Sequence, residues 1–223
     1  MAAKHDLVGR PCVAVLGDVV SSRRHPDHGS LQRVLRKALD LANERVPGTQ
    51  PLTPTIGDEF QGLYADLVGA LEATLLVRLA LLEDGDVRFG IGSGTLVAFD
   101  PERAPFEQDG PAWWAAREAV DRVRDVAQRQ EMPRGLRTRW VDADATEPTR
   151  VAAVNAFLLC RDELVGSMDP RDAATLLGIL RDEPLTTIAT RQGVTASALS
   201  QRAIRGGLYA IRRAHEELRG ASA

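Results

Sequence analysis

Leu52-Thr53-Pro54-Thr55-Ile56-Gly57-Asp58-Glu59-Phe60-Gln61-Gly62-Leu63-Tyr64 places a Gly-Asp pair between two short apolar runs. That arrangement is a hairpin signal: glycine gives the backbone the freedom a tight turn needs, and aspartate bonds its own turn. We read strands over 52–56 and 60–64, with the turn at Gly57-Asp58. Upstream, Val13-Ala14-Val15-Leu16 is a third strand, and it also ends in a Gly-Asp pair, Gly17-Asp18. Between the two pairs, residues 23–29 hold Pro26 and Gly29 and read as a loop. Ser30 is placed to cap a helix in which Leu31, Val34, Leu35, Ala38, Leu39, Leu41 and Ala42 recur at helical spacing until Pro47-Gly48.

Downstream, residues 66–82 read as a second amphipathic helix, interrupted by Glu72 and Arg78, and Asp84-Gly85-Asp86 ends it. Residues 87–99 then give one or two strands with Gly90, Gly92 and Gly94 in the middle. The order βαββαβ is the α+β, ferredoxin-like arrangement, with its first and third strands paired in mid-sheet and both helices on one face. That topology brings the end of the first strand and the hairpin to one edge, so Asp18 and Asp58 are expected to be neighbours.

A third helix is expected over 111–128, opened by Pro111 at its first turn, and a further strand over 136–141. Residues 142–149 are polar and read as a linker. Beyond them the chain reads as helical: 151–168, 170–181 with Asp169 as cap, then three shorter segments. This divides the chain into a palm-like domain, 1–145, and an all-α domain, 149–223, with a helix-turn-helix at about 185–206.

The chain has 223 residues, 44% hydrophobic and 26% charged, an ordinary globular balance. No 18-residue apolar run exists to span a bilayer, and Met1-Ala2-Ala3-Lys4-His5-Asp6 lacks the apolar core of a signal peptide. Cys12 and Cys160 lie far apart in apolar contexts, which reads as two buried thiols and a cytoplasmic protein. Four scattered histidines show no zinc spacing. Charge is uneven: residues 185–219 hold six arginines against two glutamates, a net +4, which leaves −7 for the rest of a chain totalling −3. A basic segment on an acidic body points to an anionic partner.

Two carboxylates at neighbouring strand ends repel unless a cation sits between them. Asp18, Asp58 and the carbonyl of Val19 are hard oxygen donors of the kind Mg2+ or Mn2+ takes alongside substrate phosphates. Glu59 alternates to the opposite face. Both aspartates equally suit ordinary turns. The Gly90, Gly92, Gly94 run does not join a strand to a helix as a dinucleotide loop does; it reads as strand approached closely by another part of the chain. Trp113 and Trp114 suit a core, a dimer face or base stacking. Arg117, one turn after Trp113, suits a phosphate or a carboxylate.

At the C-terminus, Ile188 and Ala189, then Gly193, then Val194 and Leu199 give helix, turn and helix. The second helix, from about residue 195 to 205, is expected to expose Thr195, Ser197, Ser200, Gln201, Arg202 and Arg205. Those types suit phosphates and base edges. The alternatives are a protein partner or a helical hairpin that only packs.

Gly17-Asp18-Val19-Val20-Ser21-Ser22, Gly57-Asp58-Glu59-Phe60-Gln61-Gly62-Leu63, Arg88-Phe89-Gly90-Ile91-Gly92 and Asp109-Gly110-Pro111-Ala112 with Ala116-Arg117-Glu118-Ala119 together resemble the SatD family of bacterial proteins, over nearly the whole chain. A more distant similarity is to the palm of class III nucleotide cyclases and diguanylate cyclases. It implies metal aspartates at Asp18 and Asp58, a transition-state arginine at Arg117, and a homodimer, since cyclase sites form between subunits. Trp113 stands where those palms carry an asparagine, and Pro54 where they carry a purine-selecting lysine. The expected function is a DNA-binding regulator whose palm senses a nucleotide with Mg2+. The alternatives are a nucleotidyl cyclase or related phosphoryl-transfer enzyme, and a dimerising scaffold without catalysis.

Overall fold

The computed structural model describes residues 7–20, 27–99, 108–127, 133–145 and 147–221. Ser21, Ser22 and residues 23–26 of the loop expected over 23–29 lie outside the described residues, as does Gln128; His28 and Gly29, expected in that loop, already belong to α1. The elements are β1 (Pro11–Val19), α1 (His28–Arg45), β2 (Gln50–Pro54), β3 (Glu59–Tyr64), α2 (Leu67–Leu81), β4 (Val87–Thr95), β5 (Ala98–Phe99), β6 (Gln108–Asp109), α3 (Pro111–Ala127), β7 (Thr138–Asp142), α4 (Pro148–Gly166), α5 (Pro170–Leu180), α6 (Leu185–Gln192), α7 (Ala196–Arg205) and α8 (Leu208–Gly220). The main sheet has the order β2-β3-β1-β4-β7, with β1 antiparallel to both β3 and β4 and β7 parallel to β4. The first four strands thus form the expected ferredoxin-like sheet. β5 and β6 pair apart from it.

Because strand side chains alternate, β1 serves two cores. Val13, Val15 and Val19 join a cluster with Leu35, Leu39, Leu71 and Leu75 of α1 and α2. Cys12, Ala14 and Leu16 join Ala112, Trp113 and Ala116 of α3 on the opposite face. The glycine ladder in β4 explains how close α3 comes. A Cβ on Gly92 would lie 2.2 Å from both the Ala112 carbonyl oxygen and the Ala116 nitrogen, and one on Gly90 2.1 Å from the Ala116 oxygen. The close approach expected from that run is made by α3.

Three expectations change. Ser30 does not cap α1; Asp27 does, its carboxylate accepting from the Ser30 N–H at 2.9 Å. Cys160 is exposed on α4, while Cys12 is buried and desolvation pushes its thiol up to about 11. Nor is α2 amphipathic: every residue from Ala70 to Leu79 is buried, because the sheet and α1 cover one side and the C-terminal helices the other. Its two charges are matched across that second contact. Arg219 of α8 grips the Glu72 carboxylate at 2.6 and 3.0 Å. Arg78 reaches Asp86 and Asp162, each at 3.2 Å. The hydrophobic cluster that holds α1 and α2 continues unbroken into α4–α8, through Leu158, Leu176, Ile188, Leu199 and Ile211.

Candidate metal and nucleotide site

Asp18 is the fourth of the alternating positions 12, 14, 16 and 18, so it sits on the α3 face of β1. Its cross-strand neighbours are Glu59 on β3 and Arg88 on β4. Arg88 donates to Asp18 Oδ2 at 2.6 Å, a short charge-assisted bond. Asp18 is only 6% exposed, and its Oδ1 is shut from solvent without a hydrogen bond. The Arg124 guanidinium of α3 lies 3.6 Å from Oδ1. The same guanidinium lies 3.9 Å from Glu59 Oε1.

Asp58 occupies the hairpin corner, where Gly57 takes φ +70°. The Val19 N–H donates to the Asp58 carbonyl at 3.4 Å, so the two Gly-Asp corners meet through their backbones. Asp58 also lines a cavity of about 510 Å3 with Val19, His28, Leu31, Gln32 and Ile56, on the α1 side. Gln32 of α1 pins the corner by donating to the Gly57 carbonyl at 2.9 Å. Glu59 does not turn away from Asp18 as expected. β3 begins at Glu59 itself, so the pleat puts Glu59 rather than Asp58 on Asp18's face.

On the α3 side of the hairpin, Arg117, Trp113, Trp114, Gln61 and Gln108 line a groove of about 370 Å3 that reaches Leu16 and Glu59. Trp113 is buried and Trp114 is 58% exposed; the Trp114 indole N–H donates to Asp109 Oδ1 at 2.6 Å. Arg117 is exposed and has no ion-pair partner among the described residues. Pro54 ends β2 opposite Phe60. Arg88 and Arg124 were not singled out from sequence. Arg88's signal was its place in strand register opposite Asp18. Arg124 had none, because its role depends on where α3 crosses the sheet. Among the described residues no group of three or more His, Cys, Asp or Glu side chains is gathered as a metal site.

In the C-terminal region, Gly193 takes φ +68° between α6 and α7, and Thr195 caps α7 by accepting from the Ala198 N–H. Thr195, Ser197, Gln201 and Arg205 are exposed, and Ser200 is half-buried. Arg202, expected to be exposed, is half-buried. It pairs with Asp172 at 2.8 Å and donates to Thr175 Oγ1 and Gln192 Oε1, tying α7 to α5 and α6. The other basic groups are largely neutralised: Arg191 by Glu183, Arg212 and Arg213 by Glu216, and Arg219 by Glu72. Of the six arginines, Arg205 alone lacks a partner among the described residues.

These features define an α+β protein with a ferredoxin-like sheet, a helix on its second face and a helical C-terminal region packed on α2. The SatD family profile matches residues 12–214, and the chain belongs to that family. A search of curated proteins finds no match. Among solved structures, similarity extends to a bacterial light-regulated adenylyl cyclase, at 9% identity and TM-score 0.43 over 58% of this chain and 42% of that one. The guanylyl cyclase Cya2 is similar at 14% identity and TM-score 0.36, over 51% of this chain and 70% of that one. The GGEEF domain of a diguanylate cyclase from Vibrio cholerae is similar at 12% identity and TM-score 0.38, over 52% and 78%. The alignment thus spans less than half of the adenylyl cyclase chain.

Proposed function

We propose that this protein binds a nucleotide through a divalent cation, Mg2+ or Mn2+, and carries out phosphoryl transfer of the nucleotidyl cyclase kind. The observation that carries this reading is Asp18 Oδ1, a buried carboxylate oxygen with no hydrogen bond. An ionised oxygen held that way is costly unless positive charge approaches it. Oxygen donors for a hard cation gather at this corner of the sheet: the two Gly-Asp turns meet through their backbones, Asp18 offers its carboxylate on the α3 face beside Glu59, and Asp58 lies on the α1 side. Bound there, the cation supplies charge neutralisation and polarisation of phosphoryl oxygens. Arg88 holds Asp18 in place through Oδ2, leaving Oδ1 open. Arg117, with no carboxylate partner among the described residues, would take phosphate charge in the adjoining groove, and the Trp113 and Trp114 rings wall that groove.

Incubation of the protein with ATP or GTP and Mn2+, followed by chromatography, tests the reading. The expected result is a product made by wild type and not by Asp18→Asn. Nucleotide- and metal-dependent thermal stabilisation without product would instead make the palm a sensor. Absence of both would remove the reading.

A second reading, regulation through DNA, is supported by the α6-turn-α7 geometry and by the polar outer face of Thr195, Ser197, Gln201 and Arg205. Its affinity would fall with salt, as phosphate contacts release counterions. The slope should be shallow, because so few of the arginines are unpaired. A DNA affinity indistinguishable between wild type and Arg205→Ala would remove it.

A further inference from the structure

We infer that Glu59 completes the cation site with Asp18, and that Arg124 holds that site's positive position until a divalent cation displaces it. This deepens the cation reading above and rests on it. Asp18 and Glu59 are direct cross-strand partners on one face of the sheet. Like charges placed so oppose pairing unless something positive lies between them. Arg124 is what lies there, and it fits neither oxygen well. Its Nη2 is 3.6 Å from Asp18 Oδ1 and 3.9 Å from Glu59 Oε1, and Oδ1 is left without a hydrogen bond. The directional bond of this guanidinium goes elsewhere, from Nη1 to Asp121 Oδ1 at 3.1 Å, one turn back on α3.

Arg124 is thus bound to its own helix and only leans electrostatically on the strand carboxylates. A divalent ion brings twice the charge and, for Mg2+, sits about 2.0–2.1 Å from its oxygens. It therefore outcompetes a guanidinium that makes no bond to either carboxylate. Glu59's side chain is 42% exposed, which gives the ion an entrance, while Asp18 supplies the enclosed end. Arg88 stays on Oδ2 throughout, and Arg124 keeps Asp121 when it leaves. Occupancy of the site is thereby coupled to the last turn of α3.

Mn2+ titration of the full chain, followed by electron paramagnetic resonance of the free ion, tests this in wild type, Arg124→Gln, Arg124→Lys, Glu59→Gln, Arg122→Gln and Asp18→Asn. Removing one unit charge a few ångströms from the ion should tighten Mn2+ binding by Arg124→Gln by about tenfold or more. Arg124→Lys, which keeps the charge, should stay near wild type. Arg122→Gln, a charge removed from the same helix outside the site, should also stay near wild type. Glu59→Gln should weaken binding by about tenfold, and Asp18→Asn should abolish it. If Asp18→Asn abolishes binding while Arg124→Gln and Glu59→Gln match wild type, the roles of Glu59 and Arg124 are overturned and the cation reading stands. If wild type binds no Mn2+, or binds it no better than Asp18→Asn, the cation reading itself falls. Melting temperatures identify any variant that fails to fold. Should Arg124→Gln be one, the Glu59→Gln affinity decides alone.

Discussion

At Gly92 one methyl group is enough to force α3 off the sheet. Its Cβ would strike three backbone atoms, of Ala112, Ala115 and Ala116, which cannot swing aside as a flexible side chain can. Gly92→Ala should therefore cost about 3 kcal/mol or more, at or beyond the upper end of ordinary overpacking, read as a lowered denaturant midpoint. Because α3 carries Arg117 and Arg124, Mn2+ binding should weaken as well. Gly193 lies at the opposite extreme: nothing crowds it, and only its positive φ asks for glycine. Arg202 shows how a residue's type misleads without its neighbours. Its side chain answers Asp172, Thr175 and Gln192, so Arg202→Ala should lower stability by about 1.5–3 kcal/mol, the range for hydrogen bonds to a charged group. It should alter any DNA affinity only through that loss. Chemical denaturation alongside a DNA titration separates the two effects.

Among elements, the junction of β7, α4 and α2 concentrates buried charge. Asp162 is fully buried. It accepts from the Arg137 and Thr138 N–H groups at 2.8 and 2.5 Å and pairs with Arg78 and Arg161. Asp162→Ala would leave the buried Arg161 without its counter-ion and Arg78 with Asp86 alone, so a loss of about 3–5 kcal/mol is expected from equilibrium unfolding. Nearby, His215 of α8 is buried against Phe157 with neither ring nitrogen bonded. Desolvation, then Arg161 and Arg219, lower its pKa from 6.5 to about 3. The unfolded chain therefore binds a proton that the folded chain refuses between those values. His215's contribution is whole above pH 6.5 and is lost as pH falls towards 3, by at most about 1.4 kcal/mol per pH unit. His215→Leu should flatten the stability profile in that window, and an unchanged slope would contradict the assignment. The order βαββαβ was legible because turn residues and strand alternation are local signals. What covers α2 was not, because Glu72 and Arg78 look like a solvated stripe until Arg219 and Asp162, far along the chain, are brought to them. The Asp18 and Asp58 corner was legible in its backbone, but Glu59's face was not: it is set by the pairing register of β3 on β1, which puts Glu59 opposite Asp18, and a one-residue difference in register moves a side chain to the other face.

At the scale of the whole molecule, β1 carries the candidate cation site on its α3 face and, on its other face, joins the hydrophobic core that continues into α6 and α7. Residues 142–149, which read as a linker, connect β7 to an α4 that is stitched back onto that strand. Asn155 accepts from the Trp140 N–H at 3.0 Å and donates to the Trp140 carbonyl at 2.9 Å. Removing α4–α8 would strip Arg78 of Asp162 and Glu72 of Arg219, and would bare the side of α2 that those helices cover. A fragment ending at residue 147 is therefore expected to aggregate, while the full chain should unfold in one transition with matching calorimetric and van't Hoff enthalpies. Two separated transitions would show that the palm and the C-terminal helices fold as independent units despite their shared core. A single transition would also link the two ends of the protein. An ion bound at Asp18 would then raise the stability of α7 as much as that of the sheet, because ligand free energy is added to the whole cooperative unit. Hydrogen exchange of the α7 amides with and without Mn2+ reads that directly, and the protection gained there should equal the gain in β1.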